Sequence, residues 1–269
     1  MKTRLDKLLV ERGVITTRER AHAMILAGRV LVNEQKIEKP GASVPEDAVF
    51  RLLGEELRYV SRGGLKLEAG LAHWKIDLTD RFCLDVGAST GGFSDCMLQH
   101  GARRVLAVDT GYGQIAQSLR SDARVQLMER TNARLLAPGQ LPAGITFLSM
   151  DVSFISATLL FPPVVASILG SPATAFETVV LIKPQFEAGR EHIGKGGIVR
   201  DPAAHQLAIH RVRQCVVELG ARGVEVIDSP ITGAKGNKEF LLHANFGTES
   251  AQLSVEAVPS ITLKVSCDL

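Results

Sequence analysis

The first part of the chain carries apolar residues at helical spacing in two short stretches. They are Leu5, Leu8 and Leu9 in the first stretch and Ala21, Ile25 and Leu26 in the second. Gly28 is a typical residue just past a helix end, and the alternation over residues 29–34 predicts a short strand. A second strand is predicted over residues 48–53. The pattern therefore predicts a small α+β domain over residues 1–58.

From residue 59 to residue 246 the pattern changes to short apolar runs that alternate with helix-like segments. The strand-like runs cover residues 82–87, 104–109, 125–128, 145–151, 179–183, 223–227 and 239–244, and the helical segments cover 92–100, 155–169 and 203–219. Continuous apolar strands separated by helices predict a parallel sheet covered on both faces, which is a doubly wound, Rossmann-like α/β domain. Its ligands are expected at the carboxyl ends of the strands. Residues 247–269 are predicted to form a C-terminal tail.

The composition is that of a globular protein and excludes several classes. Hydrophobic residues make up 45% and charged residues 22% of the 269 residues, which rules out a disordered or collagen-like chain. The four cysteines lie far apart and form no C-x-x-C pair, which excludes a zinc ribbon and a dense disulfide scaffold. No uncharged apolar run reaches ~18 residues, and the charged start does not fit a signal peptide. We therefore expect a cytoplasmic protein without a membrane segment.

Charge is unevenly distributed between the two predicted domains. Residues 1–39 hold nine Lys or Arg against five acids, a local balance of +4, whereas the remaining 230 residues hold 22 basic and 24 acidic residues. The overall net charge of +2 is thus the sum of a positive head and a slightly negative remainder. A basic head on a near-neutral body favours an anionic partner for the head, although charge alone fits a solvated helix face equally well.

The sequence of this head resembles the S4 domain, a small RNA-binding module. The resemblance rests on RLDKLLVERG at the first helix and TTRERAHAMILAGRVLVNEQKIEKPG at the second helix and the strands. It implies that basic side chains contact the RNA backbone by shape and phosphate rather than by reading bases. The candidate RNA-binding residues are Arg4, Arg18, Arg20 and Arg29.

A glycine-containing turn follows the first strand of the large domain, in Asp85-Val-Gly-Ala-Ser-Thr-Gly-Gly-Phe. Gly87 and Gly91 allow such a turn to pass close to a ligand, and the next helix start offers free N–H groups. The second strand ends at Asp109, where a carboxylate can accept hydrogen bonds from both hydroxyls of a ribose. The sequence therefore predicts a nucleoside-containing cofactor.

The glycine pattern favours S-adenosylmethionine over NAD. A dinucleotide site requires G-x-G-x-x-G so that pyrophosphate reaches the helix end, whereas this turn reads G-x-x-x-G-G. Asp85 would repel a pyrophosphate but suits the cationic sulfonium and ammonium groups of S-adenosylmethionine. An NAD-dependent enzyme and a glycine turn that serves only close helix packing remain as alternatives.

Four charged residues lie close to strand ends in the predicted large domain. They are Lys66 before the first strand, Asp151 after the fourth, Lys183 after the fifth and Glu239 at the start of the last. This ordered Lys-Asp-Lys-Glu set resembles the tetrad of FtsJ-type RNA 2′-O-ribose methyltransferases. With the S4-like head, the chain resembles the TlyA, or haemolysin A-like, family of rRNA 2′-O-methyltransferases. That resemblance implies methylation of a cytidine ribose in ribosomal RNA or ribosomal subunits.

The resemblance also implies roles for individual residues. An unperturbed lysine is protonated at pH 7, and a nearby cation would favour its neutral form. Lys183 is expected to accept the 2′-hydroxyl proton or steer the hydroxyl, while Lys66 grips the substrate phosphate. Asp151 is expected to orient Lys183 and face the methyl donor, and Glu239 to hold Lys66 and the 2′-hydroxyl in place.

The predicted cofactor residues are Asp85, Gly87, Gly91, Phe93, Asp109, Asn132 and Asp151. By the resemblance, Gly91 and Phe93 line the methionine end and Asn132 contacts the adenine edge. This chain departs from the usual Pro-Gly-Gly-Trp and Asp of the FtsJ pattern, because it has Thr-Gly-Gly-Phe and Asn132 at these places.

Two further functions remain as alternatives. One is an RNA-binding protein that keeps this fold without catalysis. The other is a haemolysin-like, membrane-active protein, against which the absence of a long basic amphipathic helix argues. The seven histidines show no H-x-x-x-H spacing, so no metal is expected.

Overall fold

The computed structural model describes residues 2–53, 58–169, 175–233 and 235–247. The chain divides into two compact units, Met1–Leu57 and Arg58–Leu269. Residues 248–269 of the predicted tail lie outside the described residues. In the described ranges, no helix combines the length and the apolar character that crossing a membrane requires.

The small unit contains two helices packed on short strands. Its elements are β1 (Lys2–Arg4), α1 (Leu5–Glu11), α2 (Arg18–Leu26), β2 (Val30–Val32), β3 (Gln35–Lys36), β4 (Ser43–Pro45) and β5 (Phe50–Leu52). Thr17 caps α2, since its hydroxyl accepts a hydrogen bond from the Arg20 N–H at 3.3 Å. Strands β1, β3 and β4 were not predicted, because two or three residues are too short to show an alternation.

The large unit is built on one sheet. Its elements are α3 (Gly63–Trp74), β6 (Phe82–Val86), α4 (Gly92–Gln99), β7 (Arg104–Val108), α5 (Gln117–Arg120), β8 (Val125–Met128), β9 (Phe147–Met150), α6 (Phe161–Leu169), β10 (Phe176–Ile182), α7 (Pro184–Glu187), α8 (Pro202–Glu218), β11 (Arg222–Asp228) and β12 (Phe240–Phe246). Apolar side chains of α6 and α8 pack on one face of the sheet, and those of α3 and α4 pack on the other. The prediction of a doubly wound α/β domain is confirmed.

The helix predicted over residues 155–169 begins later than the apolar pattern indicates. The stretch Ala157–Leu159 is a 3₁₀ turn capped by Ser156, and α6 begins only at Phe161. Pro162 and Pro163 occupy the first turn of α6, where a helix leaves its N–H groups unpaired. The apolar run therefore contains two separate elements.

The sheet is not wholly parallel, contrary to the sequence prediction. Its strand order is β11-β12-β10-β9-β6-β7-β8, and β12 alone runs opposite to the other six strands. In the antiparallel pair of β10 and β12, Ile182 lies opposite Phe240. The start of β12 therefore lies at the edge of the sheet where the parallel strands end.

Helix α3 is attached to β12 at its C-terminal end through Trp74. The indole stacks on His243 with ring centroids 5.0 Å apart, and its N–H donates to Glu225 at 3.0 Å. Trp74 is thus a packing anchor between this helix and the sheet.

The turn after β6 depends on Gly87. Its φ of +85° lies in the left-handed region, and a Cβ at this position would lie 2.6 Å from the carbonyl oxygen of Asp151. Glycine is required here both for backbone conformation and for the close approach of the segment after β9.

We expect Gly87→Ala to destabilise the protein more than Gly113→Ala. Gly113 also has a positive φ, +71°, but a Cβ there would have no neighbour within 4 Å. Its replacement should therefore cost only the ~1–2 kcal/mol of left-handed strain. Gly87→Ala should cost about twice as much or more, because the contact with Asp151 must also give way. Urea unfolding of the two variants measures this, and equal losses would contradict the steric argument.

Candidate active site

Two adjoining cavities open where the parallel strands end. The first has a volume of about 490 Å³ and the second about 430 Å³. Five residues contribute to the walls of both, namely Gly87, Ser89, Asp151, Ser153 and Phe154. The two cavities therefore share one wall, which follows β6 and β9.

All four residues of the predicted tetrad line the first cavity, where they form two ion pairs. Lys66 Nζ lies 2.5 Å from Glu239 Oε2, and Lys183 Nζ lies 2.6 Å from Asp151 Oδ1. Lys183 also donates a hydrogen bond to Ser153 Oγ at 2.8 Å. Both lysines are only 8% exposed, so each carboxylate offsets part of the cost of removing an ammonium from water.

These residues meet because β9 and β10 end at this place and α3 and β12 begin there. Lys66 lies in the first turn of α3, Asp151 follows β9, and Lys183 follows β10. Glu239 joins them only because β12 is reversed, which brings the residue before Phe240 next to the end of β10. In a parallel strand, Glu239 would lie at the opposite edge of the sheet.

The second cavity has the polar groups of a nucleoside site. Asp109 Oδ2 accepts from the Ser89 N–H at 2.8 Å, and Oδ1 accepts from the Gly111 N–H at 2.6 Å. These bonds fix the carboxylate while each oxygen keeps acceptor capacity for a ribose hydroxyl. Asn132 also lines this cavity, and its side-chain oxygen caps a 3₁₀ turn by accepting from the Arg134 N–H. Its NH₂ group is the part that can donate to an adenine edge.

Gly87 and Phe93 line the first cavity, but the structure places Asp85 and Gly91 on neither cavity wall. Asp85 is fully buried, where it accepts hydrogen bonds from Ser94 Oγ at 2.5 Å and Ser149 Oγ at 3.1 Å. It precedes the end of β6, so its carboxyl lies inside the sheet–α4 interface rather than beside a methyl donor. A direct contact between Asp85 and the cofactor is therefore not supported.

Gly91 serves the turn and its packing. Its φ is +95°, and a Cβ there would lie 2.2 Å from Leu119 Cδ1. The residue allows α4 to begin against α5, and its effect on the cavity is indirect.

Burial raises the pKa of Asp85 to about 7, although the hydrogen bonds from Ser94 and Ser149 oppose this shift. Burial thus favours the neutral form of this carboxyl relative to that of an exposed aspartate. A buried acid of this kind connects the stability of the large unit to pH.

Several cavity residues were missed by the sequence reasoning. Ser153 lies between the two cavities, and Asn237 is buried in the wall of the first, where it donates to Gly197 O and accepts from the Val199 N–H, both at 2.9 Å. Asn237 stands in the motif Gly-Asn-Lys-Glu, so its position two residues before Glu239 could have indicated that it belongs to the site. Ser153 has no such signal, because a lone serine after a strand is common in loops.

Phe154 is an exposed aromatic residue at the junction of the cavities. It is 92% exposed, has a φ of +66°, and its ring centroid lies 5.5 Å from that of Phe186. The exposed cations Arg62 and Lys235 also line the first cavity. The first cavity thus combines an apolar rim with positive charge, a combination that suits a nucleotide.

In the small unit, two of the predicted RNA-binding arginines share one buried acid. Asp6 lies 2.9 Å from Arg4, 3.0 Å from Arg18 and 2.7 Å from His22. The hydrogen bonds from Arg4 in particular hold the pKa of Asp6 well below its usual range. About half of each arginine side chain remains exposed. Arg20 and Arg29 are half-buried.

No group of three or more His, Cys, Asp or Glu is placed to hold a metal ion in the described part of the chain.

The fold and the site together define a class of enzyme. A doubly wound sheet with a reversed last strand carries a nucleoside cavity beside a cavity lined by two lysines and two acids. These are the features of a Rossmann-like methyltransferase that uses a nucleoside cofactor and a nucleotide substrate.

Comparison with known proteins identifies the family. The model of FtsJ-like methyltransferases matches residues 59–246, and that of the S4 domain matches residues 3–49. The chain belongs to the FtsJ-like methyltransferase family and, within it, to the TlyA and hemolysin A group with an amino-terminal S4 domain. Its cofactor is S-adenosylmethionine, as predicted.

Individual relatives match over nearly the whole chain. The 16S/23S rRNA (cytidine-2′-O)-methyltransferase TlyA of Mycobacterium tuberculosis is 39% identical over 93% of this chain and 92% of its own length. Hemolysin A of Brachyspira hyodysenteriae is 38% identical over 89% of this chain and 98% of its own. A solved structure from Streptococcus thermophilus, named as a hemolysin, is 42% identical, with a TM-score of 0.70 over 93% of this chain and 90% of its own.

We expect Asp85→Asn to change the pH dependence of stability. The folded protein binds a proton at Asp85 between pH ~4, where an unfolded Asp titrates, and pH about 7. The stability from this proton is complete below pH ~4 and is lost as pH rises through about 7. The free energy of unfolding of Asp85→Asn relative to the native protein should therefore increase from pH 5 to pH 8.

Urea unfolding at four pH values measures this difference. Asp77→Asn is the control, because Asp77 is exposed and a hydrogen bond from Thr79 lowers its pKa, so it is ionised throughout this range. If the free energy of unfolding changed with pH in the same way for Asp85→Asn and the native protein, the raised pKa of Asp85 would be contradicted.

Proposed function

We propose that this protein transfers a methyl group from S-adenosylmethionine to the 2′-hydroxyl of a cytidine ribose in ribosomal RNA. The observation that carries the proposal is the pair of lysine–carboxylate contacts in a cavity that adjoins a nucleoside site. The name of the M. tuberculosis relative, a 16S/23S rRNA (cytidine-2′-O)-methyltransferase, supports the substrate.

In the proposed mechanism, Lys183 faces the 2′-hydroxyl and orients its oxygen toward the methyl donor. When bound, S-adenosylmethionine supplies an electrophilic methyl group. Lys183 and Asp151 would take up the hydroxyl proton while the 2′-oxygen accepts the methyl group that the cofactor would supply, leaving as its neutral thioether. Because Asp151 and Ser153 occupy two directions around Lys183 Nζ, a third remains for the hydroxyl.

The second ion pair holds the substrate. Glu239 fixes Lys66, which then contacts the phosphate or ribose of the target nucleotide, and Arg62 and Lys235 add positive charge at the wall. Asp109 binds the cofactor ribose, Asn132 the adenine edge, and Phe93 with Gly87 the methionine end. Asp151 lies on both walls and so faces the methyl donor and the substrate.

The two units divide the work in this proposal. Residues 1–58 grip RNA through Arg4, Arg18, Arg20 and Arg29, and residues 59–246 carry out the transfer. The partners are ribosomal RNA or ribosomal subunits, in the cytoplasm, without a metal or a membrane in the reaction.

Incubation with ribosomal subunits and S-adenosylmethionine labelled in its methyl group tests the proposal. Label should enter RNA, and nuclease protection should map it to a ribose 2′-position at a cytidine. No label in RNA from either subunit would contradict the proposed function, and label on a base would contradict the 2′-hydroxyl as the acceptor.

We expect Lys183→Ala to lower methyl transfer by at least ~100-fold, the scale typical of a lost acid–base group. Binding of S-adenosylmethionine should change little, because the nucleoside cavity does not contain Lys183. Single-turnover transfer and calorimetric titration measure the two effects. Lys238→Ala is the matched control, since Lys238 is half exposed and pairs with Asp228 beside the site. Unchanged turnover in Lys183→Ala would refute its role.

We expect Arg4→Ala and Arg18→Ala each to weaken binding to ribosomal RNA and to flatten its salt dependence. Loss of one phosphate contact should reduce the slope of log K against log salt by ~0.7–0.9. Fluorescence anisotropy over a salt series measures the slope. Arg124→Ala in the large unit, where Arg124 pairs with Asp122, is the control. If both variants kept the native slope of log K against log salt, neither arginine would contact an RNA phosphate.

A further inference from the structure

Glu187 is a buried acid beside the active site that the proposed mechanism does not use. It is 5% exposed and ends α7, the one-turn helix that directly follows Lys183. Its Oε2 accepts from Ser156 Oγ at 2.5 Å, and its Oε1 accepts from the Ala157 N–H at 2.7 Å. Burial raises its pKa, and no ion pair joins it to a described lysine, arginine or histidine. An acid in such a costly position requires an explanation.

The two hydrogen bonds of Glu187 fix one end of the active-site loop, which we define as residues 151–157. The other end is fixed at β9, where the Asp151 N–H donates to the Val86 carbonyl at 3.0 Å. Between these ends, Phe154 has a φ of +66°. A residue other than glycine holds such a conformation only where its surroundings determine it. The two attachments therefore lie on either side of the residue that has this conformation.

The active-site loop is the wall shared by the two cavities. It carries Asp151 and Ser153, which contact Lys183 Nζ at 2.6 and 2.8 Å, and Phe154, whose ring packs near Phe186. Lys183 directly precedes the short helix α7, and Glu187 is its last residue. The loop is thus attached to the segment after β10 at two points, one of which is the catalytic pair.

We propose that Glu187 is a positioning residue that holds the active-site loop against Lys183, so that the Lys183–Asp151 pair and the cofactor wall keep their geometry. The kinetic consequence rests on the proposed function, whereas the effect on the cofactor wall does not. Displacement of reacting groups by about 1 Å lowers rates by ~100-fold, so a loose loop should reduce kcat.

A suitable control exists in Glu177, near the start of β10, the strand whose other end leads into Lys183 and α7. Glu177 is also partly buried and engaged twice, with Arg81 at 2.6 Å and with His243 at 2.8 Å. It lies on neither cavity wall. Replacement of Glu177 should therefore lower stability without a specific effect at the site.

The test compares Glu187→Ala, Glu187→Gln, Ser156→Ala and Glu177→Ala in the full chain. Calorimetric titration gives the Kd for S-adenosylmethionine, steady-state transfer to ribosomal subunits gives kcat and KM for RNA, and thermal unfolding gives Tm. Glu187→Ala should lower kcat at least 10-fold, raise the Kd for S-adenosylmethionine at least 3-fold and leave KM for RNA within 3-fold. Glu187→Gln keeps an acceptor for the Ala157 N–H and should restore kcat to within 3-fold of the native value.

Glu177→Ala should keep both kcat and Kd within 3-fold even where its Tm falls. If Glu187→Ala does not fold, Ser156→Ala decides, because it removes the hydroxyl that donates to Glu187 and caps the 3₁₀ turn, and it should still lower kcat at least 3-fold. Native kcat and Kd in both variants, or an equal loss in Glu177→Ala, would overturn the positioning role. Absence of transfer by the native protein would refute the proposed function alone, since the Kd comparison would still test Glu187.

Discussion

The antiparallel pairing of β12 with β10 is the constraint on which the site depends. Asp151 and Lys183 follow strands that a parallel α/β fold already directs to one edge, and Lys66 lies in the first turn of α3. Glu239 is the exception, and only the reversed strand brings it beside Lys183. Without that reversal, Lys66 would be a nearly buried ammonium with no carboxylate in contact, which is costly in free energy. Strand direction therefore determines whether the second ion pair exists.

The pairing of charges also decides which ligands the first cavity accepts. Two lysines face two acids, so the tetrad as a whole carries no net charge when all four groups are ionised. A cationic methyl donor and an anionic RNA strand can both approach such a cavity, because each finds a partner of opposite sign at short range. Specificity then depends on where each charge is fixed. That requirement gives the hydrogen bonds of Ser153 and Glu187 their importance.

Much of the fold and of the site could be predicted from sequence, because strand hydrophobicity and ordered polar residues at strand ends are local signals. Asp109 and the tetrad lie where that reasoning expects them. Strand direction was not predictable in this way, since an apolar run reads the same in either direction. The burial of Asp85 could not be predicted, because it depends on the packing of α4 against the end of β6. Glu187 was not singled out because its partners, Ser156 and Ala157, are distant in sequence.

The shared buried carboxylate of Asp6 has a consequence for how the small unit binds. Two neighbouring arginines normally repel each other and sample many rotamers. Here the buried carboxylate of Asp6 forms an ion pair with both Arg4 and Arg18. Their spacing is set before any ligand arrives, so little side-chain entropy remains to be lost on association. The two guanidinium groups therefore form a site of fixed width rather than a flexible basic surface. In the RNA contact proposed above, such a pair would favour two anionic groups at a matching distance.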